Sequence, residues 1–494
     1  MRGVWTAQQV RETEQVLLDR TAEGALMRRA AFGVAVRVRT LLGERTGGVS
    51  GHRVALLVGA GNNGGDALWA GAYLRRRGVG VTAVLLDPRR AHPGGLAALR
   101  RTGGRVLDVG RAGDDRARAA LAGAHAVVDG IVGISGSGPL REPAATLVAA
   151  VEEAGVPIVA VDLPSGVDPD TGAVDGPAVT ATETVTFGAL KPVHALAAWR
   201  CGRVHLVDIG LGPLLPPPHA QVIEAADAGA RWPVPGPLDD KYTQGVKGIA
   251  AGSAMYPGAA VLATGAAVLA TSAMVRYAGT AADGVRARWP EAIATDRFAE
   301  AGRTQSWTVG PGIGTDDAAR DLLAAVIERD VPLCIDADAI TLLGRHEDLR
   351  AAVRGRPVVI TPHDREFARV AGEVGRDRIG AARRAAAELS VTVLLKGHAT
   401  VVADPGGRAL VHPSTTSWAA TAGSGDVLSG IIGSLLAARL DPWWAAGCAA
   451  HVHGRAAELA ARGAPAPASF LQAAIPDAIR EARAAAGDEV SVAR

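Results

Sequence analysis

Thr415–Gly433 reads TTSWAATAGSGDVLSGIIG: small residues run into Ala422-Gly423-Ser424-Gly425-Asp426, and apolar residues follow at Val427, Leu428, Ile431, Ile432 and Leu435. A glycine turn that opens a helix presents free backbone N–H groups and the positive end of the helix dipole. Such a place suits a phosphate, or the charge that develops on a phosphoryl group in transfer. A carboxylate at the end of the turn would repel a phosphate, so Asp426 reads as a candidate base for a hydroxyl attacking phosphorus. The same residues also fit an N-cap aspartate on an ordinary buried helix. The turn alone leaves both readings open.

Upstream of this turn, short apolar runs each lead into a polar loop. Trp307–Val309 leads to Gly310-Pro311-Gly312-Ile313-Gly314-Thr315-Asp316, and Leu333–Asp336 to Ala337-Asp338-Ala339. Val358–Ile360 leads to Thr361-Pro362-His363 with Glu366 beyond, and Val391–Leu395 to Lys396-Gly397-His398-Ala399-Thr400. A hairpin is expected around Asp404–Gly407. The recurrence of strand, loop and helix predicts an α/β domain with its polar loops on one edge. Lys396, at a strand end beside glycine, suits a phosphate clamp, and His363 after Pro362 suits a substrate contact.

The first half repeats the pattern. Residues 7–45 read as helical. Arg53–Val58 reads as a strand, Gly59-Ala60-Gly61-Asn62-Asn63-Gly64-Gly65-Asp66 as a glycine loop, Ala67–Arg77 as a helix and Val81–Leu86 as the next strand. Glycines 59, 61 and 64 satisfy the dinucleotide fingerprint, and Asp87 sits where an acidic residue would meet a ribose, which also fits a hydride-transferring dehydrogenase. Further strands are expected at Ala126–Asp129, Ile158–Asp162, Thr184–Phe187 and Val204–Asp208. Ligands of open parallel sheets bind outside the carboxyl ends of strands. Asp66, Asp129, Asp162 and Lys191 all lie at or just after such ends.

The chain's 494 residues exceed one core. Its 48% hydrophobic and 4% aromatic content fits α/β architecture with buried parallel strands. A balance of 52 basic against 50 acidic residues, with no basic block, argues against nucleic acid. Cys201, Cys334 and Cys448 follow no metal or disulfide spacing, so a reducing cytosol is expected. The charged N-terminal stretch does not read as a secretory signal, so none is expected. Gly248–Val275 is long enough to span a bilayer but is built of small residues around Pro257, so a buried loop and helix are expected and no membrane span. Only Lys191, Lys241, Lys247 and Lys396 break the use of arginine for positive charge, which singles them out. Lys247 has no assigned role. A proline-rich stretch, with Pro216-Pro217-Pro218 and Pro233-Val234-Pro235-Gly236-Pro237, sets the expected division: a domain at 1–228, a linker at 229–237 and a second domain at 238–494.

Four motifs in the first half, NNGGD at 62–66, DGIVGISGSGP at 129–139, DLPSGVD at 162–168 and FGALKP at 187–192, resemble the NAD(P)H-hydrate epimerase family over roughly residues 1–230. The resemblance implies a Rossmann-like three-layer sandwich and a potassium ion held by Asn63, Asp129 and Ser165, with loop carbonyls completing the shell. It places the hydrated nicotinamide against Asn62, Asn63, Gly64, Gly65 and Asp66, against Gly133, Ile134, Ser135, Gly136, Ser137, Gly138 and Pro139, and against Asp162. Asp162 is then the candidate proton-transfer residue for inverting C6, with Lys191 assisting.

In the second half KYTQG, YPGAA, GPGIGTD, DADA, TPHDRE, KGHAT and AGSGD follow in order and resemble the ribokinase-like superfamily, and within it the ADP-dependent NAD(P)H-hydrate dehydratases, over about 238–485. The resemblance implies a three-layer α/β domain. Lys396, Gly397, His398, Ala399, Thr400 and Gly425 would contact the nucleotide, and Ala259, Gly312, His363 and Asp426 the hydrate. Magnesium would accompany ADP, with Asp338 and Glu366 as candidates to position it or the substrate. The expected partners are NAD(P)H hydrates and ADP, with no nucleic acid and no membrane, in a cytoplasmic homo-oligomer. The implied activity is metabolite repair, in which R and S hydrates interconvert and the S form is dehydrated through transient phosphorylation. A small-molecule kinase that keeps its phosphate on the product fits the same loop, and a nucleotide-sensing protein without catalysis is the reading from another class.

Overall fold

The computed structural model describes residues 1–112, 114–136, 138–414 and 416–487. Ser137, an expected substrate contact, and Thr415 lie outside the described residues. The chain divides into two units, Gly3–His219 and Ala220–Arg494 with Met1–Arg2. The division falls just after Pro216–Pro218, earlier than the expected 228/229. Residues 229–231 belong to the helix Ala225–Arg231, and Trp232 is buried with its indole N–H on the Ala270 carbonyl at 3.0 Å. Burial of that large ring ties the stretch into the second unit despite the prolines that follow it.

The Gly3–His219 unit holds a seven-stranded sheet. Its strands run Arg105–Asp108, Gly80–Leu85, Arg53–Val58, Ala126–Gly130, Ile158–Val161, Glu183–Phe187 and Arg203–Val207, all parallel. Alternate side chains enter opposite apolar layers: Val54, Leu56 and Val58 in one, Ala55 and Leu57 in the other. Val159 and Val161 against Ile158 and Ala160 repeat the alternation, so the sheet is covered on both faces. Strand order reverses at Arg53–Val58, whose neighbours are the second and the fourth strand in sequence. The crevice beyond that point lies among the carboxyl-end loops.

Two sequence expectations change here. Residues 7–45 form two helices, Ala7–Leu18 and Ala25–Thr46, broken by left-handed Gly24. NNGGD is no loop but the opening of the helix Asn62–Arg75. Glycine is a poor helix former, yet packing requires it: a Cβ on Gly64 would collide with the Gly59 carbonyl oxygen.

At the opposite end of the strands Glu183, 2% exposed, accepts from Arg37 Nε at 3.2 Å and Nη2 at 3.0 Å. Removing one partner of a buried pair leaves the other charge unmatched. Glu183→Ala is therefore expected to lower the stability of this unit by about 3–5 kcal/mol. The measurement is a denaturant midpoint, with Arg37→Ala costing less because Glu183 keeps His205 Nε2 at 3.1 Å and Arg203 Nη1 at 3.7 Å, and the double variant less than additive.

In the second unit parallel strands run Ile293–Thr295, Val275–Ala278, Lys247–Ala250, Ser306–Val309, Leu333–Ile335, Val358–Ile360 and Thr392–Leu395. The antiparallel hairpin Ala399–Ala403 and Ala409–Pro413 follows, and Ala220–Val222 lies parallel beyond it. The helix Ser424–Ala437 lies directly on this sheet: Ser306 Oγ donates to Gly433 O at 2.7 Å and Thr308 Oγ1 to Ser429 O at 3.1 Å. Small residues permit that approach, and they also let the helix pack on Pro257–Ala270, where Ser434 Oγ donates to Ala267 O at 3.3 Å.

Lys247 finds its role here. Fully buried, it donates to the carbonyls of Ala267 and Thr271 and to Thr271 Oγ1 at 2.6 Å, closing the C-terminal end of Pro257–Ala270. Burial pushes its pKa down to about 7. All three cysteines are buried and free. Among the described residues no helix is long and apolar enough to cross a membrane.

Candidate functional site

In the second unit the glycine turn comes to rest beside the ends of Thr392–Leu395 and Leu333–Ile335. Gly423 is left-handed (φ +86°) and caps the helix, so Ser424, Gly425 and Asp426 form its first turn. Lys396, just past Thr392–Leu395, places Nζ 2.7 Å from Asp336 Oδ1 and 3.6 Å from Glu366 Oε2. A Cβ on Gly425 would lie 3.5 Å from Lys396 Nζ and 3.7 Å from Asp336 Oδ2, so the turn and the lysine share one site. Asp336, at the start of the DADA motif, was legible as a strand-end acid yet not singled out beside Asp338.

Electrostatics separate these groups. Burial works against the Lys396 ammonium, but Asp336 and Glu366 outweigh it and hold its pKa above the ordinary lysine value. Burial pushes the Asp426 carboxyl up to about 7; Asp336 and Asp338 add to the rise and Lys396 opposes it. A carboxyl tuned to neutrality beside a fixed ammonium is placed for proton transfer.

His363 caps the helix Asp364–Ala371, its Nδ1 accepting from the Arg365 and Glu366 amides at 3.1 and 3.2 Å, while Glu366 accepts from the His363 amide at 2.9 Å. Its Nε2 lies 3.5 Å from Glu366 Oε1 and its side chain stays half-exposed. Ala259 and Gly312, far apart in sequence, meet: a Cβ on Gly312 would lie 3.1 Å from Ala259 Cβ. Asp338 Oδ2 accepts from the Gly314 amide at 2.9 Å. Gly397, His398 and Ala399 lead from Lys396 into the hairpin, and Thr400 pairs with His412 within it. His453, which no motif contains, donates Nε2–H to the Ser424 carbonyl at 2.9 Å and steadies the turn.

In the first unit two clusters form at the crevice. Asp129 is fully buried; its Oδ1 accepts from Ser165 Oγ at 2.7 Å and its Oδ2 from the Ser165 amide at 2.9 Å. Asn63 Nδ2 donates to the carbonyls of Val132 and Val161 at 2.9 and 2.8 Å. Asn63 Oδ1, Ser165 Oγ, the Asp129 carboxyl and these carbonyls are thus gathered by a few mutual contacts. Burial holds Asp129 up at about 6, against the lowering hydrogen bonds from Ser165 and Ile131.

The second cluster joins Asp162, Lys191 and Thr186. Lys191, 1% exposed, sets Nζ 2.5 Å from Asp162 Oδ1 and donates to Thr186 Oγ1 at 2.9 Å. Thr186 donates to the same Asp162 oxygen at 2.9 Å. Asp66 has a buried Oδ1 with no partner, and its pKa stands well above the ordinary aspartate value through burial, Asp162 and Glu14. Glu14, also raised by burial, faces Lys191 and Asp162 from the helix Ala7–Leu18. Its sequence neighbours, Arg11 and Glu12, give it the look of a surface residue. Among Gly133–Pro139 the structure places Gly133 against Asn63, whose Oδ1 a Cβ at that position would strike.

The family profile described as NAD(P)H-hydrate dehydratase matches residues 247–479, and that of the YjeF-related protein N-terminus matches 23–193. The bifunctional NAD(P)H-hydrate repair enzyme Nnr of Mycobacterium tuberculosis (strain H37Rv) is 55% identical over 89% of this chain and 90% of its own. Its namesake from Mycobacterium leprae is 54% identical over 93% and 94%. Among solved structures, the ADP/ATP-dependent NAD(P)H-hydrate dehydratase of Bacillus subtilis, co-crystallised with ATP and magnesium, is 26% identical with a TM-score of 0.47, covering 53% of this chain and 99% of that one.

Proposed function

The chain belongs to the bifunctional NAD(P)H-hydrate repair enzymes, and on that premise we propose that its two units divide the repair at the two sites described above. The unit ending near residue 219 interconverts R and S hydrates; the unit from 220 onward dehydrates the S form at the expense of ADP. One observation carries the assignment of the second step: a buried carboxyl, Asp426, tuned to about 7 at the mouth of a helix beside the Lys396 ammonium.

Asp426 accepts the proton of the C6 hydroxyl as that oxygen attacks the terminal phosphoryl of ADP. The amides of the Gly423–Gly425 turn and Lys396 stabilise the charge that develops. The ring nitrogen's lone pair then expels phosphate from C6, and the resulting iminium loses its C5 proton to the departing phosphate, which restores the 5,6 double bond of the reduced nicotinamide. His363, Gly312 and Ala259 hold the hydrate, and Gly397–Thr400 with Gly425 the nucleotide. Magnesium would arrive with the nucleotide, whose phosphates and water supply most of its oxygen shell. Asp338 and Glu366 would position it or the substrate, since among the described residues no three His, Cys, Asp or Glu side chains are grouped to hold a metal by themselves.

In epimerisation Asp66, whose pKa burial raises well above the ordinary aspartate value, and Asp162, paired with Lys191, supply an acid and a base at one site. Asn62–Asp66 and residues 133–139 hold the substrate. Asn63, Asp129 and Ser165, with the Val132 and Val161 carbonyls, form an oxygen set with one carboxylate that fits a monovalent cation. A potassium ion there would fix both loops around the substrate. The protein is expected to act in the cytosol as a homo-oligomer.

The test is direct. Purified protein with ADP and a mixture of R and S hydrates is expected to regain the near-ultraviolet absorbance of reduced nicotinamide completely. No recovery with any nucleotide would sink the reading, and a stable phosphorylated product would mark a kinase instead.

A further inference from the structure

His194 lies outside every motif of the chain, and it closes a ring around the pair Asp162 and Lys191. The Lys191 amide donates to His194 Nδ1 over 2.9 Å, which leaves the imidazole proton on Nε2. Nε2–H donates in turn to the Asp162 carbonyl over 2.9 Å. Lys191 Nζ, 2.5 Å from Asp162 Oδ1, completes the circuit. Both ring nitrogens are thus spent on the backbones of the two residues whose side chains meet.

Asp162 needs such a hold. Its φ of +71° lies in the left-handed region, which a residue with a Cβ adopts only where its surroundings enforce it. Its amide is tied to the Val185 carbonyl at 2.7 Å, and its carbonyl has His194. The imidazole is 7% exposed, and burial with the nearby Lys191 charge holds its pKa down at about 4. It therefore stays neutral, in one tautomer, at any pH near neutrality.

We propose that His194 is a positioning residue for epimerisation, locking Asp162 in its left-handed conformation and fixing the distance between its carboxylate and Lys191. The proposal rests on Asp162 and Lys191 being the epimerising pair. A short helix, Val193–Leu196, carries His194, so the alternative is a side chain that only packs.

Two substitutions separate the roles. The Asn oxygen reaches the place of Nδ1, and the Gln amide nitrogen that of Nε2. His194→Leu is expected to lower kcat for epimerisation by roughly 30–100-fold, the scale of a small misplacement. KM for the hydrate should change less than about 3-fold, because distance between reacting groups rather than binding is altered. His194→Gln, which keeps the donor to Asp162, should return to within about 5-fold of wild type, and His194→Asn should recover less. The unfolding midpoint of the Gly3–His219 unit, measured on the same samples, reports that the unit carrying His194 is folded, and dehydration of S hydrate reports the same of the other unit. Wild-type kcat in His194→Leu overturns the proposal, as does an equal loss in all three variants with a lowered unfolding midpoint. Wild-type epimerisation by Asp162→Asn would instead overturn the underlying pair.

Discussion

Asp426→Asn is expected to abolish dehydration while leaving epimerisation intact. General bases contribute 10²–10⁴-fold, so kcat should fall by about 10³ with little change in the KM for either substrate. Recovery of reduced nicotinamide then stops, yet the R and S hydrates still equilibrate, which chiral chromatography follows. The pH dependence gives a second readout. The carboxylate is the active form, so kcat should rise with pH through an inflection near 7. Lys396→Met removes the cation that opposes the rise, and the inflection should move upward. Burial raises Asp426 above its unfolded value, so the folded state is penalised as pH climbs from about 4 through 7 and not below. Asp426→Asn should therefore be more stable than wild type at pH 8, by about 2–4 kcal/mol at roughly 1.4 kcal/mol for each tenfold change in proton affinity, and equal to it at pH 3. A variant that is inactive and also less stable at pH 8 would contradict the assignment.

Asp162→Asn is expected to give the complementary loss. Epimerisation should drop by about 10²–10⁴-fold, and dehydration of pure S hydrate should proceed at the wild-type rate. An R/S mixture would then be repaired only in its S fraction over the minutes of an assay, with the remainder following at the uncatalysed rate. Lys191→Met should match this loss and add a fall in stability, because Asp162 would be left buried without its ammonium. An Asp162→Asn enzyme that clears the R form at the wild-type rate would remove Asp162 from the chemistry.

The alternation of apolar strands with polar loops was legible because parallel strands buried on both faces read as continuous apolar runs. RVALLV, IVAV and TVLL are strands within a residue of where the sequence sets them. The short strands Val275–Ala278 and Ile293–Thr295 were not read, being brief, small-residued or half-exposed. NNGGD reads as a loop for a related reason: glycine weighs against helix locally, while the close packing against the Gly59 carbonyl that demands it appears only in the folded chain.

The site divides in the same way. Asp426, Lys396, Asp162, Lys191 and Asp129 could be named because strand ends beside glycine or proline concentrate chemistry, and because lysine is scarce in this chain. Their environments could not be named. Asp426 comes from a segment remote from Asp336 and Asp338, and only folding puts them close enough, and dry enough, to bring its carboxyl to about 7. Glu14 reads as one more charge on a polar helix until the fold turns it toward Lys191. His194 and His453 carry no local signal, since their partners are backbone atoms that any sequence provides.

By itself, then, the sequence determined two α/β units, the loops that carry chemistry and the residue types in them, because hydrophobic period and glycine placement are local properties of the chain. Only the tertiary structure decided which carboxyl is raised, which lysine caps a helix and which clamps a site, and what holds Asp162 in its left-handed turn. Those outcomes depend on burial and on distances between residues remote in sequence, and both exist only once the chain has closed on itself.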